Sequence, residues 1–158
     1  MTPQYLTLTN QRIENAIQAL TVISNPYDAL TPDEKGTVKR NYKFSPNIGY
    51  MVARNLINLR EASKKREEAR VALLTSIIGE GVQWNDATEL KRQQFTKGFQ
   101  QLLDETQEVR VFQVRFATDE VKEADVVNLK VCPIPNTVLA DLIDSQMFVC
   151  VADDAGGG

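Results

Sequence analysis

Four carboxylates crowd one short stretch of the chain, Asp119, Glu120, Glu123 and Asp125, and oxygen-rich loops of this kind can hold Mg²⁺ or Ca²⁺. Their spacing fits no EF-hand, the glycine that such a turn needs is missing, and Lys122 places a cation among the ligands. An exposed loop is the simpler reading. Asp141 and Asp144, three residues apart, mark the solvent face of a helix. The sequence contains no histidine, which removes the commonest general base near neutral pH and the commonest metal ligand. Ser-His-Asp, Cys-His and HExxH arrangements go with it. Gly79-Glu80-Gly81 follows no strand, so it reads as a helix stop rather than a phosphate cradle. Cys132 and Cys150 lie in no CxxC or metal-ligand spacing, and two buried thiols are expected. No catalytic residue, metal or cofactor is expected, and the chain reads as no enzyme.

Two features point instead to binding. The first is a run of cations, Lys35, Lys39, Arg40, Lys43, Arg54, Arg60, Lys64, Lys65, Arg66 and Arg70, with Tyr42 and Phe44 interleaved. Cations with aromatics can hold phosphates and stack bases. Glu61, Glu67 and Glu68 lie among them at helical spacings, Glu61 three and four residues from Lys64 and Lys65. A solvated, self-paired helix is therefore the competing reading. The second feature is Trp84, in a short polar loop between helices, where a lone tryptophan is either a core anchor or an interface residue. Among the cations and aromatics, Lys39, Arg40, Tyr42, Lys43, Phe44, Lys64, Lys65, Arg66 and Arg70 join Trp84 as candidate interaction residues.

The elements that must position these residues follow from periodicity. Ile13, Ala16, Ile17 and Leu20 fall three or four apart, one face of a helix over about 9–24, capped by Thr9 or Asn10 and stopped by Asn25-Pro26. A polar insert or arm over 25–45 follows. In it, Thr31-Pro32-Asp33-Glu34 has a capping-box order that predicts one helical turn. Thr37 to Phe44 reads as a basic loop or extended arm. Ser45-Pro46 opens a long helix over about 46–78. Its apolar residues gather at the two ends around a charged waist, so it is expected to pack at both ends and cross solvent or a partner between. A further helix carries Phe95, Phe99, Leu102 and Leu103 on one face. The period then changes: 109–116 and 126–132 are rich in β-branched and aromatic residues and predict two strands of a hairpin joined by the acidic loop 118–125. Asn136 is expected to cap a short helix with Val138, Leu139, Leu142 and Ile143 inward, and 147–151 reads as a last strand. The fold class is α+β, helix-dominated, with a small antiparallel β-sheet near the C-terminus. One domain over 1–151 and a flexible Gly-rich tail over 152–158 complete the reading.

The chain has 158 residues, enough for one domain that buries a core without staples. Net charge is −3, but its distribution is uneven. From Lys35 to Arg70, ten Lys/Arg face three Glu, a net +7; from Asp104 to the end, four Lys/Arg face eleven Asp/Glu, a net −7. Such halves can pair within one fold or between stacked subunits, or form solvated faces. No apolar run approaches the roughly 18 residues that span a bilayer. The N-terminus lacks the basic-then-apolar order of a signal peptide, so a cytosolic origin is expected.

The succession LTNQRIENAIQAL, SPNIGYMVARNLINLREASKKREEARVALL, QFTKGFQQLLDETQEVRVFQV and IPNTVLADLIDSQMF resembles small uncharacterised proteins of tailed bacteriophages. Those carry a short helix, a long helix with a charged run, a helix ending in a strand, and a Pro-Asn-capped helix. The longer insert over 25–44 and the tri-glycine end depart from that pattern, which supplies no active residues. The resemblance implies a phage setting, in the host cytoplasm during infection or in the virion itself. It also implies a protein partner: phage structural proteins for a virion or head/tail assembly component, or a host defence or transcription protein for an inhibitor. A homo-oligomer fits the first role. A nucleic-acid accessory role through the basic 35–70 segment is the third reading, and no membrane partner is expected.

Overall fold

The computed structural model describes residues 2–151. Its elements in chain order are β1 (Gln4–Thr9), α1 (Asn10–Ile23), β2 (Tyr27–Leu30), β3 (Thr37–Arg40), α2 (Pro46–Ile77), α3 (Glu89–Asp104), β4 (Thr106–Val111), β5 (Val114–Ala117), β6 (Val126–Asn128), α4 (Asn136–Asp144) and β7 (Phe148–Cys150). A 3₁₀ turn, Trp84–Asp86, precedes α3. The class is α+β, dominated by helix and by the 32 residues of α2.

Hydroxyl caps set the helix starts. Thr9 accepts from the Arg12 N–H at 3.1 Å, Ser45 from Ile48 at 3.3 Å and Thr88 from Lys91 at 3.3 Å, each satisfying a donor that the first turn leaves without a helical partner. Pro46 occupies the first turn of α2, where its fixed φ suits the helix and its missing N–H costs nothing. At the other end Gly79 (φ +110°) and Gly81 (φ +74°) turn the chain in a region that side chains rarely enter. The short helix α4 starts differently from expectation. Pro135 holds the cap position, no side chain caps it, and Asn136 is already its first residue. Ile143, expected inward, is 43% exposed.

The strands pair in three groups. β1 runs antiparallel to β4, with Leu6 opposite Val109; Leu8, Val109 and Val111 are buried toward the helices. Nothing in the periodicity had predicted β1. β2 and β3 form an antiparallel hairpin, so the expected helical turn at Thr31–Glu34 is instead the hairpin turn. There the Thr31 N–H donates to the Gly36 carbonyl and Glu34 adopts φ +58°. The capping-box order failed because Thr31 Oγ1 hydrogen-bonds Asp33, its neighbour two residues on, and accepts from the Gly36 N–H, a turn pattern that competes with helix. Of the expected basic loop or extended arm over 37–44, the first four residues are strand.

The expected hairpin of 109–116 with 126–132 is also corrected. The first stretch breaks at Phe112-Gln113 into β4 and β5, and β5 pairs parallel with both β6 and β7 in the order β6-β5-β7. Parallel neighbours usually need a long crossover. Here the strands are only three and four residues long, so the extended reach of residues 118–125, about 3.3 Å each, covers the return. The antiparallel pairs are thus β1–β4 and β2–β3, and the C-terminal sheet is parallel.

One hydrophobic core joins these layers. Ile13, Ala16, Leu20 and Ile23 of α1 meet Ile48, Val52, Leu56 and Leu59 of α2, and the strands and α4 close it with Val111, Val114, Phe116, Leu142, Met147 and Phe148. Buried amides fasten it. Asn55, fully buried, donates its Nδ2 to the Phe112 carbonyl and accepts the Phe112 N–H, both at 2.7 Å. This satisfies the backbone where the strand breaks between β4 and β5. Asn10 donates to the Leu102 carbonyl at 2.7 Å and accepts from Gln107 Nε2 at 2.7 Å, which also reaches the Ala62 carbonyl at 3.0 Å. Cys132 is buried and Cys150 half-buried, both as free thiols; burial pushes the Cys132 thiol up from its ordinary value. The expected tail over 152–158 lies outside the described residues.

Candidate functional site

The core stops partway along α2. Ala62 is its last residue in the main cluster, and from Ser63 to Ile77 no side chain is fully buried. At about 1.5 Å per residue, that half is on the order of 22 Å of helix. Beyond Ser63 and Arg66, which reach Glu14 of α1, it packs on α3, and the two helices form a hairpin. Gly98 permits their close approach: a Cβ built there would stand 3.0 Å from Leu73 Cδ2. Between them Leu73, Leu74, Ile77, Phe95 and Phe99 are half-buried, and Ile78 and Ala87 close the end. The Phe95 and Phe99 rings stack at 6.0 Å, and Trp84 meets Phe95 edge-on at 5.6 Å. The root of the hairpin is held where Asn10 and Gln107 tie the Leu102 and Ala62 carbonyls together.

The tip presents what the core hides. Val71 is 47% exposed, Val82 44%, Trp84 42% and Leu90 65%. A shallow groove of ≈ 650 Å³ beside α3 is lined by Trp84, Glu89, Arg92, Thr96, Lys97 and Gln100 among others. Trp84 thus packs on Phe95 outside the main core and keeps part of its ring exposed.

The remaining sequence candidates divide between α2 and the stretch from β3 to Phe44 that precedes it. Lys39 in β3 pairs with Asp28 at 2.8 Å on an exposed face, and Arg40 stands opposite Tyr27 in the same ribbon. Tyr42 packs 4.7 Å from Tyr27 and 6.3 Å from Phe44. Its phenol is held above the usual value by burial, then by Cys132 and Tyr27. Tyr42 and Phe44 are half-buried and pack against the core. Lys43 is exposed between them. On the waist, Lys64 and Lys65 are exposed. The expected pairing of Glu61 with them is absent from the ion pairs of the described residues. Arg66 reaches across to α1, its Nη2 2.9 Å and Nε 3.2 Å from Glu14 Oε1, a carboxylate that Ser63 also donates to. Arg70 donates to Glu67 at 2.6 and 2.9 Å, and that bond holds the Glu67 carboxyl below its ordinary range. The waist thus crosses a neighbouring helix on one side and solvent on the other. Structure joins Tyr42 with Phe44, and Arg66 with Arg70 through Glu67. It does not bring Trp84 to any of them.

The acidic loop is occupied by its own surroundings. Glu123 pairs with Arg115 at 2.9 Å and Asp119 with Lys130 at 3.3 Å. Asp125, at φ +57°, accepts from Ser45 Oγ at 2.7 Å and Asn47 Nδ2 at 3.0 Å, clasping the start of α2. Among the described residues, no group of three or more His, Cys, Asp or Glu is placed to hold a metal ion, and no helix is long and apolar enough to cross a membrane.

Sequence reasoning missed Val71, Val82 and Leu90. Val71 gave no warning, since it stands three residues before Leu74 and seven before Ile78, spacings that place it on their face of the helix. Asn10, Asn55 and Gln107 gave none either, because a buried amide and a surface amide look alike in a sequence. No family model, no curated protein and no solved structure matches the chain.

Proposed function

We propose that the chain is a non-enzymatic docking protein, a virion structural or head/tail assembly component of a tailed bacteriophage, whose working surface is the α2–α3 hairpin. The observation that carries the docking role is the division of α2: its first half builds the core, and its second half leaves the core with Val71 exposed and leads into a tip on which Val82, Trp84 and Leu90 are exposed. Exposed apolar residues on a rigid projection cost solubility and gain affinity only against a partner. The phage setting rests on the sequence resemblance alone. The host cytoplasm during infection, and the particle after it, are the corresponding locations.

The test is a pull-down with the intact protein from infected-cell lysate and, separately, from purified particles. Recovery at multiple copies in particles, lost in a Trp84→Ala/Leu90→Ala variant that keeps its thermal stability, is the expected result. Absence from particles together with one stoichiometric host protein replaces this reading with that of an inhibitor. Unchanged recovery by the variant removes the tip from the mechanism.

A further inference from the structure

The β1–β4 pair has two edges, and the fold treats them differently. In an antiparallel ladder each residue turns both its backbone groups to one side, alternating along the strand. The Asn10 N–H donates to the Glu105 carbonyl at 2.8 Å, at the foot of the ladder that sets Leu8 opposite Gln107 and Leu6 opposite Val109. Gln4, Leu6 and Leu8 therefore bond β4, and Tyr5 and Thr7 turn their N–H and C=O groups away from it. On β4 the same alternation turns Arg110 outward, as it does Phe112 just beyond, and α2 meets both. Asn58 donates to the Arg110 carbonyl at 2.9 Å, and Asn55 takes both backbone groups of Phe112. Along the outer edge of β1 no strand pairs among the described residues, and Tyr5 and Thr7 are exposed. Nor is that edge guarded. Edge strands are commonly protected by charge, proline or a bulge, yet β1 carries no charged residue. The charges of the pair, Glu108 and Arg110, stand on β4, the covered strand.

We propose that β1 pairs antiparallel with β1 of a second copy, Leu6 opposite Leu6 across a two-fold axis perpendicular to the sheet. This register sets Tyr5 opposite the partner's Thr7, so every N–H and C=O that these two residues turn outward meets its counterpart. At the ends, Pro3 falls opposite the partner's Thr9. Pro3 has no N–H to give, and the Thr9 carbonyl, at the cap of α1, already accepts the first helical bond. The neighbouring registers lose this match. Thr7 opposite Thr7 puts the Tyr5 N–H against the spent Thr9 carbonyl, and Tyr5 opposite Tyr5 puts the Thr7 carbonyl against Pro3. A perpendicular axis also keeps both leucine faces on one side of the joined sheet. Half-buried Leu6 then meets its own copy in a non-hydrogen-bonded pair, where side chains stand closest, and Tyr5 lies beside Thr7, an aromatic–β-branched pair. A charged peptide finds no counter-charge along this strand, whereas the strand complements itself. The contact is isologous and closes at two copies. It uses no residue of the α2–α3 tip and stands apart from the particle role.

The experiment is light scattering and sedimentation of the full chain across concentration. With rising concentration the mass is expected to double from the 17.7 kDa monomer and to climb no further. Tyr5→Lys with Thr7→Lys in one protein, and Tyr5→Glu with Thr7→Glu in another, set like charges opposite each other across the axis at exposed positions. Each is expected to be monomeric with unchanged circular dichroism, and mixing the two should restore a one-to-one pair. The register is read separately by Leu6→Cys, whose Cα atoms would stand about 4.5 Å apart, within disulfide reach. Mild oxidation should give a covalent dimer of that protein. It should give far less with Thr7→Cys, whose thiols are offset along the strand, or with the wild type, whose Cys132 and Cys150 are free. If a charged protein misfolds, the cross-linking decides alone. A monomeric wild type, including one that captures a strand of another protein at this edge, overturns the inference. So does a mass that climbs past the dimer, a dimer indifferent to both charged pairs, or a mixture that stays monomeric. Cross-linking at Thr7→Cys in preference to Leu6→Cys overturns it too.

Discussion

The two halves of α2 are one unbroken helix with opposite environments. Residues 46–62 bury Ile48, Val52, Asn55, Leu56, Leu59 and Ala62 against α1 and the strands. Residues 63–77 bury nothing fully and lean on α3. The first half is held by apolar packing and amide clamps, and the second by half-covered leucines, stacked aromatics and Arg–Glu pairs near the surface. Stability is therefore expected to be concentrated in one half and surface for binding in the other. A projecting two-helix hairpin can be altered at its tip while the domain stays folded.

The comparison breaks most directly at matched apolar sites. Leu59→Ala, at a fully buried position, is expected to cost about 2–5 kcal/mol, whereas Val71→Ala should stay within about 0.5 kcal/mol; urea denaturation of both reads the difference. Equal costs would dissolve the distinction. Asn55→Ala comes next. It leaves the Phe112 N–H and C=O buried without partners, an expected loss of about 2–4 kcal/mol, with faster amide exchange at Phe112 as the local mark.

Within the hairpin, Gly98→Leu forces its side chain onto Leu73 and should cost about 1–3 kcal/mol through overpacking. Adding Leu73→Ala is expected to recover part of that loss, which a double-mutant cycle measures; simple additivity would mean that Gly98 does not set the helix spacing. Smaller still at neutral pH is the Asp125 clasp on the start of α2. Hydrogen bonds from Asn47, then Ser45, hold its carboxyl below the usual value. The carboxylate is thus favoured in the folded state. Its contribution is complete above the ordinary carboxylate range and lost as pH falls through and below it. Asp125→Asn, which tolerates the same left-handed backbone, should flatten the acid limb of a stability–pH profile while leaving the limb above pH 6 unchanged. An identical acid limb would show that the clasp adds nothing.

Helix boundaries were readable because their causes are local. Ser45-Pro46 and Gly79-Glu80-Gly81 act within one turn of chain, and the structure uses both where the pattern placed them; at α1 it takes Thr9 of the two caps offered. Strand pairing was not readable, because partners are chosen at long range. The stretch 109–116 has the composition of one strand, yet Asn55 reaches in from α2 and fixes a break at Phe112, sending β4 to β1 and β5 to β6 and β7. The Thr31–Glu34 turn failed for the complementary reason, since cap, hairpin turn and side-chain bond draw on the same polar residues. Of the candidate site, Trp84 was legible as a lone aromatic in a polar loop. The cations were legible as charges but not as partners, and only the fold assigned Arg66 to Glu14 and Lys39 to Asp28.

The sequence by itself determined that the chain is α+β, where α1 and α2 begin and end, that a further helix carries Phe95, Phe99, Leu102 and Leu103, and that histidine chemistry is absent, since these depend on residue type and on spacings of a few residues. Tertiary structure alone decided that β5 lies parallel to its neighbours, that Tyr42 and Phe44 pack against the core, and that α2 leaves the core after Ala62. Each of those outcomes depends on which distant surface arrives to cover an apolar face or satisfy a backbone group, and no local pattern encodes that arrival.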